Sequence, residues 1–326
     1  MVLVFSFFLL TLLVITAIAI VRSEGLFSAV MLTGIFSLLM AANFFVLDAA
    51  DVALTEAAVG AGVATVLLLG ALTLTPTSEK PGSRGRWLAL VAVVANVAVI
   101  VFSTVDAPRL GQPDSPVHQH VAPWYLENTP ELIGIPNVVT AVLASFRGYD
   151  TLGEVFVILI AGIGVLFVLS ARRERLLTKH PEPRPHEGLK HHLIPQVVSR
   201  MLIPFIVLFG LYVQFHGEYG PGGGFQAGAL IAAGMILYSL VEGERAALTL
   251  IPPRALLTMA VSGALLYGGV GITCMLLGGE FLDYSVLADD PVAGQHLGII
   301  VIELGVLLTV TGVLLAIYHA FAARDQ

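Results

Sequence analysis

Charge is scarce in this sequence: 12% of its 326 residues are Asp, Glu, Lys or Arg, against roughly 25% in an ordinary soluble domain. That shortfall excludes a soluble globular fold. Basic residues are also outnumbered, 16 Lys and Arg to 23 Asp and Glu, so there is no cationic excess to hold a phosphate backbone and nucleic acid is not an expected partner. The single cysteine, Cys274, cannot build an iron–sulfur cluster, a Cys-based zinc site or an internal disulfide. Any redox centre would belong to a partner, and no cofactor is expected here. Neither a Gly-x-Ser-x-Gly elbow nor a His-Glu-x-x-His string is present, so nothing signals independent enzyme activity. His118, His120, His191 and His192 lack a supporting ligand cluster and read as solvated loop residues, with no metal site expected.

What the sequence has in abundance is apolar length. A bilayer core about 30 Å thick needs about 20 apolar residues in helix, and nine windows meet or approach that length: Val2 to Val21, Leu26 to Leu47, Val52 to Thr75, Trp87 to Val105, Leu152 to Ser170, Met201 to Phe215, Phe225 to Val241, Ala255 to Gly278 and His296 to Ala322. The first lacks a basic n-region and is too long for a signal h-region, so it reads as a retained span. The windows are apolar all round rather than alternating, which excludes a membrane barrel. The expectation is an all-α integral membrane protein with about nine transmembrane helices.

The N-terminus is expected outside and the C-terminus in the cytoplasm. With that orientation every Lys and Arg except Arg109 and Arg147 falls on an inside connection, as the positive-inside bias requires. The outside connection from Asp106 to Pro136 carries six prolines and is expected to be irregular rather than helical. The segment 172–192 reads as a basic cytoplasmic linker that also touches anionic lipid. No Lys or Arg falls inside an assigned span, and no long repeat of the inverted-transporter kind is evident.

Three carboxylates remain inside the windows: Glu56, Glu154 and Glu303. Intramembrane acids are costly and mark pathways by default, although one near a boundary can snorkel or remain protonated. Glu56 follows Asp51-Val52-Ala53-Leu54-Thr55 and precedes Ala57, Ala58, Gly60, Ala61 and Gly62, small residues that permit close helix approach. Asp150 and Glu154 are i and i+4 on one helix face, with Thr151 between them. Such a chain suits proton passage through water, whereas an ion pair from Arg147 to Asp150 or Glu154 would merely fix the helix end. Glu303 lacks such company, and His319 offers no basis for choosing between a relay and a headgroup contact. The string His216-Gly217-Glu218-Tyr219-Gly220-Pro221-Gly222-Gly223-Gly224-Phe225-Gln226 is neither a P-loop nor a Rossmann fingerprint. Consecutive glycines before a span suggest a tight, re-entering connection, with helix packing favoured over anion binding by its amides.

These motifs resemble Mrp-type multisubunit cation/proton antiporters and the related membrane modules of membrane-bound hydrogenases and complex I. Residues 1–75, with Asp51 to Glu56, resemble the MbhD-type unit. Residues 86–171, with Pro136-Asn137-Val138-Val139-Thr140-Ala141-Val142-Leu143 and Asp150 to Glu154, resemble the MbhE-type unit, and residues 193–326, with the Gly-rich string, resemble the MnhB or MrpB unit.

The resemblance implies a membrane component of a heteromeric Na+ (or other monovalent cation)/proton antiporter in the cell membrane. Its implied partners are large antiporter-like and small membrane subunits, with Na+ and H+ as the transported ions. Glu56 and Glu154 match acids on the proposed ion route; Asp51, Thr55, Asp150 and Glu303 join them as pathway candidates. Pro221, Gly222, Gly223, Gly224 and Phe225 are expected to be structural. The rival expectations are the ion-translocating module of a membrane-bound hydrogenase or related redox complex, and a scaffold that only packs between pumping subunits.

Overall fold

The computed structural model describes residues 2–72, 75, 78, 85–109, 111–177 and 193–322. Among these residues nine helices are long and apolar enough to cross a membrane. They are α1 (Val2–Arg22), α2 (Leu26–Val46), α3 (Ala50–Leu72), α4 (Arg86–Val105), α5 (Gly148–Leu177), α6 (Leu193–His216), α7 (Gly224–Glu242), α8 (Pro253–Leu276) and α9 (Pro291–Ala322). Each expected window corresponds to one helix. Most of the linker 172–192, and with it His191 and His192, lies outside the described residues, as do Lys80 and Arg84 of the connection before α4.

The core is built on α9. Of its most apolar window 61% is buried, against 50% for α7, 33% for α8 and none for α4. Helices surrounded by lipid gain little from hydrophobic burial against one another, so close approach must come from small residues and interhelical hydrogen bonds. Gly263 of α8 lies against the Gly305 carbonyl of α9, and Gly312 of α9 lies against the Leu256 carbonyl of α8. Thr309 Oγ1 donates to the Ala260 carbonyl at 3.0 Å, and Thr311 Oγ1 donates to the Gly228 carbonyl of α7 at 3.2 Å. Around these contacts Ile299, Ile302, Val306, Val310, Tyr267 and Tyr284 form the largest buried cluster.

Two segments next to the chamber-lining helices depart from regular α geometry. In α3 the turns widen to π-type over Glu56–Ala64, and before α5 the helical run from Val138 widens over Ala141–Phe146. Wide turns leave backbone carbonyls that side chains must satisfy. Thr151 Oγ1 donates to the Leu143 carbonyl at 2.8 Å, and Tyr284 donates to the Ala144 carbonyl at 3.0 Å. Burial pushes the Tyr284 hydroxyl far above the usual tyrosine range, so it remains an O–H donor.

Two expectations are corrected. The Pro-rich connection contains a helix, Ala122–Leu132, entered through a wide turn at Val117–Val121. Pro123 sits in its first turn, where a missing N–H costs nothing, and Pro130 sits in its last turn, where little helix remains to break. The absence of basic residues from the spans also fails, because α6 begins at Leu193 and includes Arg200. That guanidinium makes a two-pronged pair with Glu242 at the end of α7, at 2.5 and 2.9 Å, which neutralises it.

Candidate functional site: an acid-lined chamber

The Gly-rich string forms a folded connection between α6 and α7. Tyr219 and Gly220 donate their amides to the His216 carbonyl, and Gly223 donates back to the Val213 carbonyl. Gly223 has φ +112°, a region closed to most L side chains. The connection is held from outside itself by Asn137. Its carboxamide accepts from the amides of Val139 and Thr140, capping the Val138 helical run. Its Nδ2 donates to the carbonyls of Gly217 and Gly220 at 3.1 and 2.9 Å, while Thr140 Oγ1 donates to Gly217 at 2.7 Å. The two most distinctive motifs of the sequence therefore lock together.

The glycines also make room for a carboxylate. A Cβ on Gly223 would stand 2.9 Å from Glu303 Oε1, and one on Gly217 would stand 3.2 Å from Glu303 Oε2. Gly224 lies directly against the backbone carbonyl of Glu303. Glu303 of α9 is thus cradled by the connection, within electrostatic reach of Glu218 and Asp51.

Beside the cradle lies a chamber of about 250 Å³, half open to the surface, with Glu154 exposed; its volume is well above the ~10–15 Å³ of such space that admits one water. Its walls come from five places. The start of α3 gives Asp51 and Thr55; the helical run from Val138 gives Thr140, and its wide turn gives Leu143 and Ala144; α5 gives Thr151 and Glu154; the glycine connection and the start of α7 give Gly222 to Gln226; and α9 gives Ile302, Glu303 and Val306. Gln226 Nε2 donates to Thr55 Oγ1 at 2.9 Å, tying α7 to α3 across one wall.

Of the pathway candidates, Asp51, Thr55, Glu154 and Glu303 share this chamber, together with Gly222, Gly223, Gly224 and Phe225. Asp150 does not: it is exposed and pairs with Arg147 at 2.5 Å. Glu56 also faces elsewhere, toward α2, where its Oε1 and the Ser37 hydroxyl converge on Gly60. Pro221 is exposed at the surface of the connection, and His118 and His120 are exposed on their helical turn. His319 is buried against Tyr318 near the far end of α9. Sequence reasoning missed the contributions of Asn137 and Gln226, and it missed the pair Glu218–His296, whose Oε2 and Nδ1 are 3.1 Å apart. The signal for Glu218 was present, since it is the acid inside the glycine string.

Helices of this length, packed through small residues around an acid-lined chamber, define an all-α multi-pass membrane protein. Three family descriptions match in series: the D and then the E component of MBH, at residues 11–77 and 89–179, and the "domain related to MnhB subunit of Na+/H+ antiporter" at 194–316. The putative antiporter protein mnhB2 of Staphylococcus aureus is 30% identical over 39% of this chain and 92% of its own length. The chain belongs to the MnhB family of Na+/H+ antiporter subunits.

A probable K+/H+ antiporter protein of Rhizobium meliloti, of the combined A/B type, is 27% identical over 91% of this chain but only 32% of its own length. A chain of the Mrp complex from Dietzia sp. DQ12-45-1b superposes with TM-score 0.78 at 29% identity, covering 97% of this chain and 34% of that one. The present chain thus spans about a third of these two proteins. A chain of the membrane-bound sulfane sulfur reductase, an archaeal respiratory membrane complex, superposes with TM-score 0.54 at 28% identity, covering 71% of this chain and 95% of that one.

Proposed function

We propose that this chain is a membrane subunit of a heteromeric monovalent cation/proton antiporter in the cell membrane, and that its chamber is a segment of the proton or cation path. The observation that carries this reading is the convergence of Asp51, Glu154 and Glu303 on one cavity roomy enough for water. Acids placed within membrane helices are costly and are retained where ions or protons pass. The cavity has room for water to connect the three carboxylates, and Thr55, Thr140 and Thr151 line it with them. The Gly-rich connection bounds the chamber and shapes it around Glu303.

The positive-inside bias supports an outside N-terminus and a cytoplasmic C-terminus. The chamber then opens toward the outside half of the bilayer, where α3, α5, α7 and α9 begin. Residues 1–75, 86–171 and 193–326 act as three units in series, with 172–192 as a cytoplasmic basic linker. Large antiporter-like subunits and small membrane subunits complete the complex, and Na+ or another monovalent cation exchanges against H+. Glu56, outside the chamber, serves a neighbouring step at the α2–α3 contact.

A second reading is favoured by the likeness to the sulfane sulfur reductase complex and by the two MBH matches. The same helices would then be driven by electron transfer in partners, since Cys274 alone holds no cluster. Purification of this chain from its native membrane in mild detergent, with identification of the bound proteins, separates the readings. Antiporter-like subunits without metal-centre proteins support the proposal. Cluster-bearing subunits with matching absorbance overturn it in favour of the second.

A further inference from the structure

We propose that Glu218 and His296 form the port through which protons reach Glu303 from the surface of the bundle. This rests on the chamber being an ion path, and it adds a relay outside the chamber. Glu218 is 7% exposed, and its Oε1 is buried with no protein hydrogen-bond partner. Its Oε2 meets His296 Nδ1 at 3.1 Å, and the His296 side chain is 33% exposed. The imidazole therefore joins a buried acid to the surface.

The far nitrogen, Nε2, lies beside Gly134, where a Cβ would stand 3.6 Å from it. On the inner side, Gly217 precedes Glu218 in the chain and lies against Glu303 Oε2 with no side chain between. The order from surface to chamber is His296, Glu218, Glu303. The other ionisable groups around this line are Asp51 on α3 and His216 at the end of α6, whose Nε2 faces Gly220.

The step balances. A hydronium ion delivers a proton to His296 Nε2, and Nδ1 passes its own proton to Glu218 Oε2, which leaves the imidazole neutral with its proton on Nε2. The Glu218 carboxyl then gives its proton through an intervening water to the Glu303 carboxylate and returns to its charged form. One proton has moved inward and the pair has regained its charge; transfer of the imidazole proton from Nε2 back to Nδ1 through water restores the starting tautomer before the next proton enters.

The test uses the assembled complex in everted membrane vesicles, with proton exchange read by fluorescence dequenching on cation addition. Glu218→Gln and His296→Gln should each lower the maximal rate about tenfold or more, as expected when a positioned proton carrier is removed. The cation half-saturation and the recovered amount of complex should not change. The double variant should be no slower than the slower single one, because both act in one line, and Glu218→Asp should restore part of the rate. Full rates in both single variants overturn the port, as does a loss that follows only the amount of complex recovered. If Glu303→Gln abolishes exchange while Glu218→Gln does not, the port alone fails; if Glu303→Gln is silent as well, the chamber reading fails with it.

Discussion

At the scale of single residues the chamber depends on what is missing from its wall. Gly223 combines φ +112° with an approach to Glu303 that leaves no space for a methyl group. Gly223→Ala should therefore cost about 1–3 kcal/mol in stability, and it should displace the carboxylate it abuts. A lower melting temperature of the purified complex, with slower exchange in the fraction that stays folded, is the expected pair of results. Asn137 acts oppositely, by what it supplies: a helix cap on one side and two donors to loop carbonyls on the other. Asn137→Ala should destabilise by about 1–3 kcal/mol, the cap and the orphaned carbonyls together. Protection of the 217–223 amides should fall in hydrogen exchange, while α8 keeps its own.

At the scale of elements, a wide helical turn supplies part of the chamber wall. The segment Ala141–Phe146 is stable because Thr151 and Tyr284 take up its released carbonyls. Tyr284→Phe preserves the ring but leaves the Ala144 carbonyl unpaired, at about 1–3 kcal/mol, and should loosen the turn that presents Leu143 and Ala144 to the chamber. Increased amide exchange over 141–147 would be the readout; unchanged exchange there would show that the hydroxyl does not hold the turn.

The existence of each span is legible in the sequence because an apolar run of membrane length has few other uses. Boundaries are less so: the apolar pattern puts the start of α6 at Met201, which hides Arg200. The helix Ala122–Leu132 is masked by Pro123 and Pro130, whose positions in the first and last turns make them compatible with helix. The residues of the chamber are legible one by one, as acids in apolar windows. Their convergence is not. It depends on contacts such as Asn137 to Gly217, 80 residues apart, and on the side of the helix that each acid faces: Asp51 and Glu56 are five residues apart, about 140° around a regular helix.

At the scale of the molecule, burial is unevenly shared. The α7, α8 and α9 group has an interior of its own, whereas every residue of α4 from Trp87 to Val105 is exposed. A helix with no covered face in this chain meets lipid or a partner protein on all sides. This distribution fits a chain that works inside a larger assembly, as its MnhB relationship implies.

The measurement that tests this account most directly is cation-driven proton exchange by the assembled complex carrying Glu303→Gln, compared with Glu154→Gln and with the unaltered chain, at equal amounts of complex in the membrane. The account predicts that both variants assemble normally, that Glu303→Gln lowers exchange by at least about tenfold, as removal of a proton-carrying group does, and that Glu154→Gln is also slowed. Normal exchange in both variants would contradict the chamber as an ion path and would leave this chain a structural member of its complex.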